Sequence, residues 1–210
     1  MLVTAIMPVR NAKDTVLRAL TSLKDGCEGI NVRLLICDNE SDDLVTNGLI
    51  RSDALHCMLN SFGFEDHRIL DDCACHTSPE TGIVLKHKNL EHMMAKFMYE
   101  MSDDTPDFVF RLDADVEMPS GGLKALLDRM SIDHMLGIVG IRYSDTTKHI
   151  QAGCTLYRYA ALKVISDIGF GTCGCECRFI HEELMWRSWK AAHLKGWKAN
   201  HMKEESNGVA

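Results

Sequence analysis

The residues of this 210-residue chain that could do chemistry start at Phe108-Val109-Phe110-Arg111-Leu112-Asp113-Ala114-Asp115. An apolar run leads straight into two carboxylates two positions apart. Side chains at i and i+2 of a strand share a face. Both acids are therefore expected to approach one cation beyond the strand's C-terminal end, where open α/β sheets bind ligands. Oxygen ligands suit Mg²⁺ or Mn²⁺, which keep positions open for substrate phosphates. The same tripeptide can also be a solvated turn that caps a helix. The apolar run before it and Pro119 after it favour the metal reading. A second acid, Asp38, closes the apolar run Val32 to Cys37 and is expected at the same kind of edge. A carboxylate there can accept a nucleobase ring N–H. It can also be a helix N-cap, a role that Asp42 or Asp43 fits better.

These acids need a scaffold. Leu2 to Met7 is a short apolar run ended by Pro8, which predicts a strand. Asn11 to Leu23 carries Val16, Leu17, Leu20 and Leu23 at helical spacing. Val32–Cys37, Asp107–Leu112, Leu136–Ile141 and Gln151–Tyr157 read as further strands. Leu44–Leu59, Leu90–Met101, Gly122–Met130, Ala160–Ile165 and Glu182–Leu194 read as helices. Ser61–Gly82 and Ile168–Cys177 read as loops, Ile83–Leu85 as a short strand, and Trp197–His201 as extended. Alternation of this kind predicts an α/β fold, a mostly parallel sheet sandwiched between helices. With no linker or repeat, one domain over residues 1–210 is expected.

Composition narrows the function. The formal net charge is −7, with Lys and Arg scattered, which disfavours nucleic acid as a partner. An anionic small molecule stays compatible, because a bound divalent cation reverses the local field. No apolar run reaches the roughly 18 residues of a membrane span, and the apolar start is too short for a signal peptide. A cytoplasmic protein is expected. Of the nine cysteines, Cys27, Cys37, Cys57 and Cys154 stand alone and read as buried small hydrophobes. Cys73-Ala74-Cys75-His76 and Cys173-Gly174-Cys175-Glu176-Cys177 are clustered. They could hold a structural Zn²⁺, form disulfides, or do neither. Met93, Met94, Met98 and Met101, and Trp186, Trp189 and Trp197, read as packing residues.

Several segments together resemble family 2 glycosyltransferases. Val3-Thr4-Ala5-Ile6-Met7-Pro8-Val9-Arg10-Asn11 is similar to that family's opening strand and Pro-x-x-Asn. Cys37-Asp38-Asn39-Glu40-Ser41-Asp42-Asp43 resembles its Asp-Asp-Gly-Ser-x-Asp segment, and Leu112-Asp113-Ala114-Asp115 its Asp-x-Asp motif. Ala152-Gly153-Cys154-Thr155-Leu156-Tyr157-Arg158 resembles the acceptor-side segment. His181-Glu182-Glu183-Leu184, with Arg187, resembles the Glu-Asp motif and its helix, and His201 falls where a late metal-binding histidine is expected. The likeness is collinear over about residues 3–201.

It implies a GT-A domain that transfers a sugar from a nucleotide-diphosphate sugar to an acceptor hydroxyl, with inversion, using Mn²⁺ or Mg²⁺. Pro8, Asn11, Asp38, Asn39 and Asp113 would bind the nucleotide. Asp113, Asp115 and His201 would hold the metal, Gly153 and Cys154 would lie on the acceptor side, and Glu183 or Glu182 would be the base. This chain departs from the pattern at Glu40 and at Glu183, where the family has a small residue and an aspartate. If Arg187 sets the register, His181 takes the base position. A nucleotidyltransferase is disfavoured, since Pro8 to Ala12 contains no glycine. The remaining alternatives are a non-catalytic glycan- or protein-binding module on the same scaffold, and a zinc-stabilised interaction domain.

Overall fold

The computed structural model describes residues 1–12, 15–39, 41, 48, 52–70, 86–143, 149–170 and 176–202. In chain order these form β1 (Val3–Val9), α1 (Val16–Gly26), β2 (Val32–Asp38), α2 (Asp53–Ser61), β3 (His67–Leu70), α3 (Lys86–Glu100) and β4 (Phe108–Leu112). There follow β5 (Val116–Glu117), α4 (Gly122–Ile132), β6 (Leu136–Arg142), β7 (Cys154–Arg158), α5 (Tyr159–Ile168), α6 (Glu176–Trp186), β8 (Lys190–Lys198) and β9 (Asn200–His201).

The main sheet has the order β3-β2-β1-β4-β7-β6-β8. β3, β2, β1 and β4 are parallel, and β7 runs against both β4 and β6. Two antiparallel steps restore direction, so β6 and its parallel neighbour β8 run the same way as β4. Val9, Asp38, Leu112 and Arg142 consequently all end at one edge. A separate two-stranded ribbon, β5 with β9, stands there too.

The period of two along each strand builds two cores, one on each face of the sheet. Val3, Ala5, Met7 and Val9 join Phe108, Phe110 and Leu112 on the face covered by α1 and α4. Ile6 and Val109 face the other way, onto Met93, Met94 and Phe97 of α3 and Ile180 and Leu184 of α6. The methionine stripe is thus core, as its spacing predicts.

Several elements differ from expectation. The predicted helix over 182–194 is two elements: α6 starts at Glu176 and ends at Trp186, and residues 190–198 form edge strand β8. Lys190-Ala191-Ala192-His193-Leu194 has good helix formers, but pairing with β6 overrides that weak preference. β3 lies within a segment read as irregular. Its four residues alternate poorly because it sits at the sheet edge. Trp186 is 84% exposed rather than packed. Cys27 and Cys154 are buried as expected, but Cys57 is exposed. Cys37 is buried and disulfide-bonded rather than a lone thiol, with a partner outside the described residues. Asp42, Asp43, Ile83–Leu85 and Cys73, Cys75, His76, Cys173 and Cys175 also lie outside the described residues.

Candidate functional site

The period of two also places a charge in the core. Arg111 follows Phe110 and so faces α3 and α6, where it is 2% exposed. A buried guanidinium is tolerated only when paired and hydrogen-bonded. Its Nε donates to Asp113 Oδ1 at 2.8 Å, and one terminal nitrogen donates to Glu176 Oε1 at 2.8 Å. Glu176, itself 6% exposed, is the first residue of α6. Burial disfavours the charge on Arg111, but the two carboxylates outweigh it and hold its pKa well above the ordinary value. This bridge ties the Asp113 corner to α6. Sequence reading missed Glu176, which sits inside a Cys/Gly-rich run. The available signal was Arg111 itself, a cation in an otherwise apolar strand that needs a buried acid.

Asp113 and Asp115 do not share a strand face. β4 ends at Leu112, and the chain turns at once, with Val116 N–H donating to Asp113 O at 3.0 Å. The i, i+2 rule holds only along a strand, so the turn sends the two acids different ways. Asp113 goes to Arg111. Asp115 goes to His201, whose Nε2 lies 3.1 Å from Asp115 Oδ2. The β5–β9 ribbon makes that contact, pairing Val116 with His201, and Met202 N–H donates to Asp115 O at 2.7 Å. Tyr143 stacks on the His201 ring with centroids 5.2 Å apart. Loss of solvent and the charge of Asp113 raise the pKa of Asp115, while His201 opposes them.

Asp115 and His201 therefore offer one carboxylate and one imidazole beside a second acid. No group of three or more His, Cys, Asp and Glu side chains among the described residues could hold a metal by itself. Mn²⁺ and Mg²⁺ commonly use one or two protein carboxylates with substrate phosphates completing the shell. The donor set fits that mode, and the half-buried Asp115 beside Asp113 is a place where a cation would relieve repulsion.

One and two strands away from β4, the ends of β1 and β2 are knitted together. Asp38 Oδ1 accepts from Ser41 Oγ at 2.6 Å and from Ser41 N–H at 3.2 Å. Asn11 N–H donates to Ser41 Oγ at 3.0 Å, and Asn39 N–H to Val9 O at 2.9 Å. Asn11 takes a left-handed φ of 47°, which asparagine tolerates better than most residues. Asn39 Oδ1 is buried, with no hydrogen-bond partner among the described residues. Pro8, half-buried, lies in β1 just before this corner. Pro8, Asn11, Asp38 and Asn39 thus gather at the end of β1 and β2.

On the other side, Gly153 O accepts from Asp113 N–H at 3.0 Å. A Cβ on Gly153 would lie 3.0 Å from Val116 Cγ2, 3.1 Å from Asp113 Oδ2 and 3.1 Å from Tyr143 Cε1. Only glycine lets these three groups close in. Gly153→Ala is expected to destabilise the fold by about 1–3 kcal/mol, the cost of overpacking. Urea unfolding checks it, and a wild-type midpoint would mean that the three groups move apart freely. Cys154 is buried beneath, and burial pushes its thiol pKa up.

Glu182 is exposed and paired with Arg178 at 2.7 Å, and Glu183 lies 3.7 Å from Arg187. Both sit late in α6 rather than in a first helical turn, and neither contacts Asp113, Asp115 or His201. His181 Nδ1 faces Ile150 N–H at 3.5 Å. His193, in β8, meets Arg142 at the end of β6, with Nδ1 3.4 Å from an Arg142 terminal nitrogen. Burial, then Arg142, His181 and His149, depress the His193 pKa to about 4. A folded-state pKa below the unfolded value of about 6.5 means the unfolded chain binds more protons between them. Stability should therefore be full above pH ~6.5 and fall toward pH ~4. Urea midpoints at pH 7 and pH 4.5 measure this, and His193→Gln should flatten the difference.

No protein-family model and no curated protein matches the sequence. Solved structures do match. The chain superposes on the mannosyltransferase PcManGT from Pyrobaculum calidifontis, in complex with GDP-Man and Mn²⁺, with a TM-score of 0.74 at 13% identity, covering 97% of this chain and 58% of that one. S. aureus TarS 1-349 in complex with UDP-GlcNAc gives 0.62 at 14% identity over 98% and 59%. A further S. aureus TarS structure gives 0.64 at 13% over 97% and 37%. The fold is that of a GT-A-like glycosyltransferase domain. This chain spans less than two thirds of the length of each of these neighbours. No helix among the described residues is long and apolar enough to cross a membrane.

Proposed function

We propose that this protein transfers a sugar from a nucleotide-diphosphate sugar to an acceptor hydroxyl, with a divalent cation at Asp115 and His201. The observation that carries the reading is the ribbon-built Asp115–His201 pair, 3.1 Å apart, at the C-terminal edge of a GT-A-like sheet. The neighbours bound to GDP-Man with Mn²⁺ and to UDP-GlcNAc support it. Residues 1–118 would hold the donor, with Asp38 accepting a base N–H and Asn39 supplying its buried oxygen. Residues 119–203 would hold the acceptor.

The metal, when bound, supplies Lewis-acid stabilisation of the leaving diphosphate. Asp115 and His201 position it, and Arg111 fixes Asp113 beside them. The acceptor oxygen bonds to the anomeric carbon as the bond from that carbon to the diphosphate oxygen breaks, with inversion. The hydroxyl proton goes to a group on α6. Glu183 is the carboxylate candidate and His181 the imidazole candidate. Replacing the true base by Gln should lower turnover about 10²–10⁴-fold, so Glu183→Gln and His181→Gln tell them apart.

Thermal unfolding with a panel of nucleotides and nucleotide-sugars, each with and without Mn²⁺, tests the reading. A ligand at 100 times its Kd stabilises by about 2.7 kcal/mol. A shift that needs both Mn²⁺ and one nucleotide is expected. No shift with any nucleotide would mean a binding module on this scaffold. Tightly bound zinc with no response to Mn²⁺ would mean a zinc-stabilised domain.

A further inference from the structure

We propose that His56 and His67 form a metal site, a surface pair of imidazoles that takes a divalent cation of the Zn²⁺, Ni²⁺ or Cu²⁺ class. It stands apart from the transfer site and does not rest on the transferase reading.

Two ring nitrogens meet there. His56 Nδ1 lies 2.7 Å from His67 Nε2, with ring centroids 5.0 Å apart. The other nitrogen of His67 settles where the protons are. Its Nδ1 lies 2.7 Å from Phe64 O. A carbonyl only accepts, so Nδ1 carries the proton. Nε2 of a neutral His67 is then a lone pair. His56 Nδ1 must supply the one proton between the rings, which leaves His56 Nε2 bare. Two basic nitrogens thus face each other across a single proton, and a metal ion can take its place.

The fold prepares the site from one side. β3 follows α2 after the turn Phe62-Gly63-Phe64, where Gly63 takes a φ of 85°. Phe64 is 3% exposed, and its N–H donates to Leu59 O at 3.0 Å. Its carbonyl is therefore held against the core, and it aims the His67 ring. An imidazole whose second N–H is fixed by a backbone carbonyl is in the usual state of a metal-ligating histidine. His56 can adjust. The core residues of α2 are Leu55 and Leu59, and His56 is exposed beside them. Metal–nitrogen bonds of about 2.0–2.1 Å put two ligands of a tetrahedral ion roughly 3.3 Å apart. The two nitrogens need to open by only about 0.6 Å, which a small rotation of the exposed His56 side chain provides.

Ligand type sets the choice of cation. Imidazoles suit Zn²⁺, Ni²⁺ and Cu²⁺, whereas Mg²⁺ and Mn²⁺ prefer oxygen. Binding forms two metal–nitrogen bonds and displaces two waters from the ion, and water keeps the remaining positions. The His56 proton passes through solvent from Nδ1 to Nε2, so a neutral pair binds with no net proton release. His67 opens β3, the outermost strand, three strands from β4. The pair is thus separate from Asp115 and His201 in place and in ligand type.

The test titrates the full chain, stripped of metal, with Zn²⁺ at neutral pH and with Mg²⁺ in parallel. The His56 and His67 imidazole resonances are followed. Zn²⁺ should move both sets saturably, and Mg²⁺ neither. His56→Gln and His67→Gln should each weaken Zn²⁺ binding at least about tenfold, read from the imidazole that remains. Losing only the outer partner of a metal-bound histidine already costs about 10–100-fold. Asp115→Ala should leave binding intact. Zinc held by cysteines elsewhere would not move these two resonances, which keeps the sites apart. Resonances that stay put at saturating Zn²⁺, that respond equally to Mg²⁺, or that respond with wild-type affinity in both variants would overturn the proposal. If His67→Gln fails to fold, the exposed change His56→Gln and the wild-type resonances still decide it. A negative nucleotide screen would sink the transferase reading and leave these measurements unaffected.

Discussion

Asp115→Ala is expected to reduce sugar transfer by about a thousandfold or more while leaving the melting temperature within a few degrees. The two halves of that outcome have separate causes. Divalent-cation stabilisation of a leaving group is worth several kcal/mol, and about 4 kcal/mol corresponds to a thousandfold in rate. In the proposed reading, Asp115 and His201 are the two side chains among the described residues that would supply that cation's protein ligands. Its contribution to the fold is small, because its side chain is 48% exposed. An ion pair with that much solvent around it contributes about 0–1 kcal/mol. The backbone carbonyl that receives Met202 N–H remains in the variant, so the β5–β9 ribbon is held. Activity with Mn²⁺ and a thermal melt on one preparation check both halves. Full activity would remove the metal assignment.

Arg111→Ala is expected to do the opposite, destabilising first. Removing one member of a buried ion pair costs about 3–5 kcal/mol, because the partner stays buried and uncompensated. Here the stranded partner is Glu176. For a chain of this size each kcal/mol lowers the melting point by about 2–4 °C, so a drop of roughly 6–20 °C follows. Asp113 loses the contact that orients it, and nucleotide binding should weaken as well. The double variant Arg111→Met/Glu176→Leu separates the effects. Two apolar side chains of similar length should recover most of the stability, while Asp113 stays unanchored and binding stays weak. A melting point for Arg111→Ala equal to that of the wild type would mean that the Arg111–Glu176 pair contributes nothing to the fold.

Much of the architecture was legible because it depends on local periodicity. Val3–Val9, Val32–Cys37 and Phe108–Leu112 are largely apolar runs that read as interior strands, and Asp38 and Asp113 mark where those runs end. The methionines of α3 repeat at helical spacing because one helix face is core. Asp38 and Asp113 stand at one edge because each closes an apolar run, and those runs pair in parallel. Reading failed where pairing partners, not local pattern, decide the state. Residues 190–194 have helical composition and became part of a strand because β6 offered an open edge. Glu182 and Glu183 were expected at the start of a helix, yet α6 begins six residues before Glu182, at Glu176.

What the sequence determined by itself is therefore the set of strands, their apolar faces and the acids at their ends. Each of these is fixed by side-chain periodicity and by the cost of burying polar groups. Only the tertiary structure decided which acid meets which base. Asp113 and Asp115 are two residues apart, but the turn after Leu112 gives one to Arg111 and Glu176 and the other to His201. Arg142 and His193 are far apart in sequence and touch because β6 and β8 are neighbours. Contacts of that kind depend on strand pairing across the chain, and local sequence carries almost no record of it.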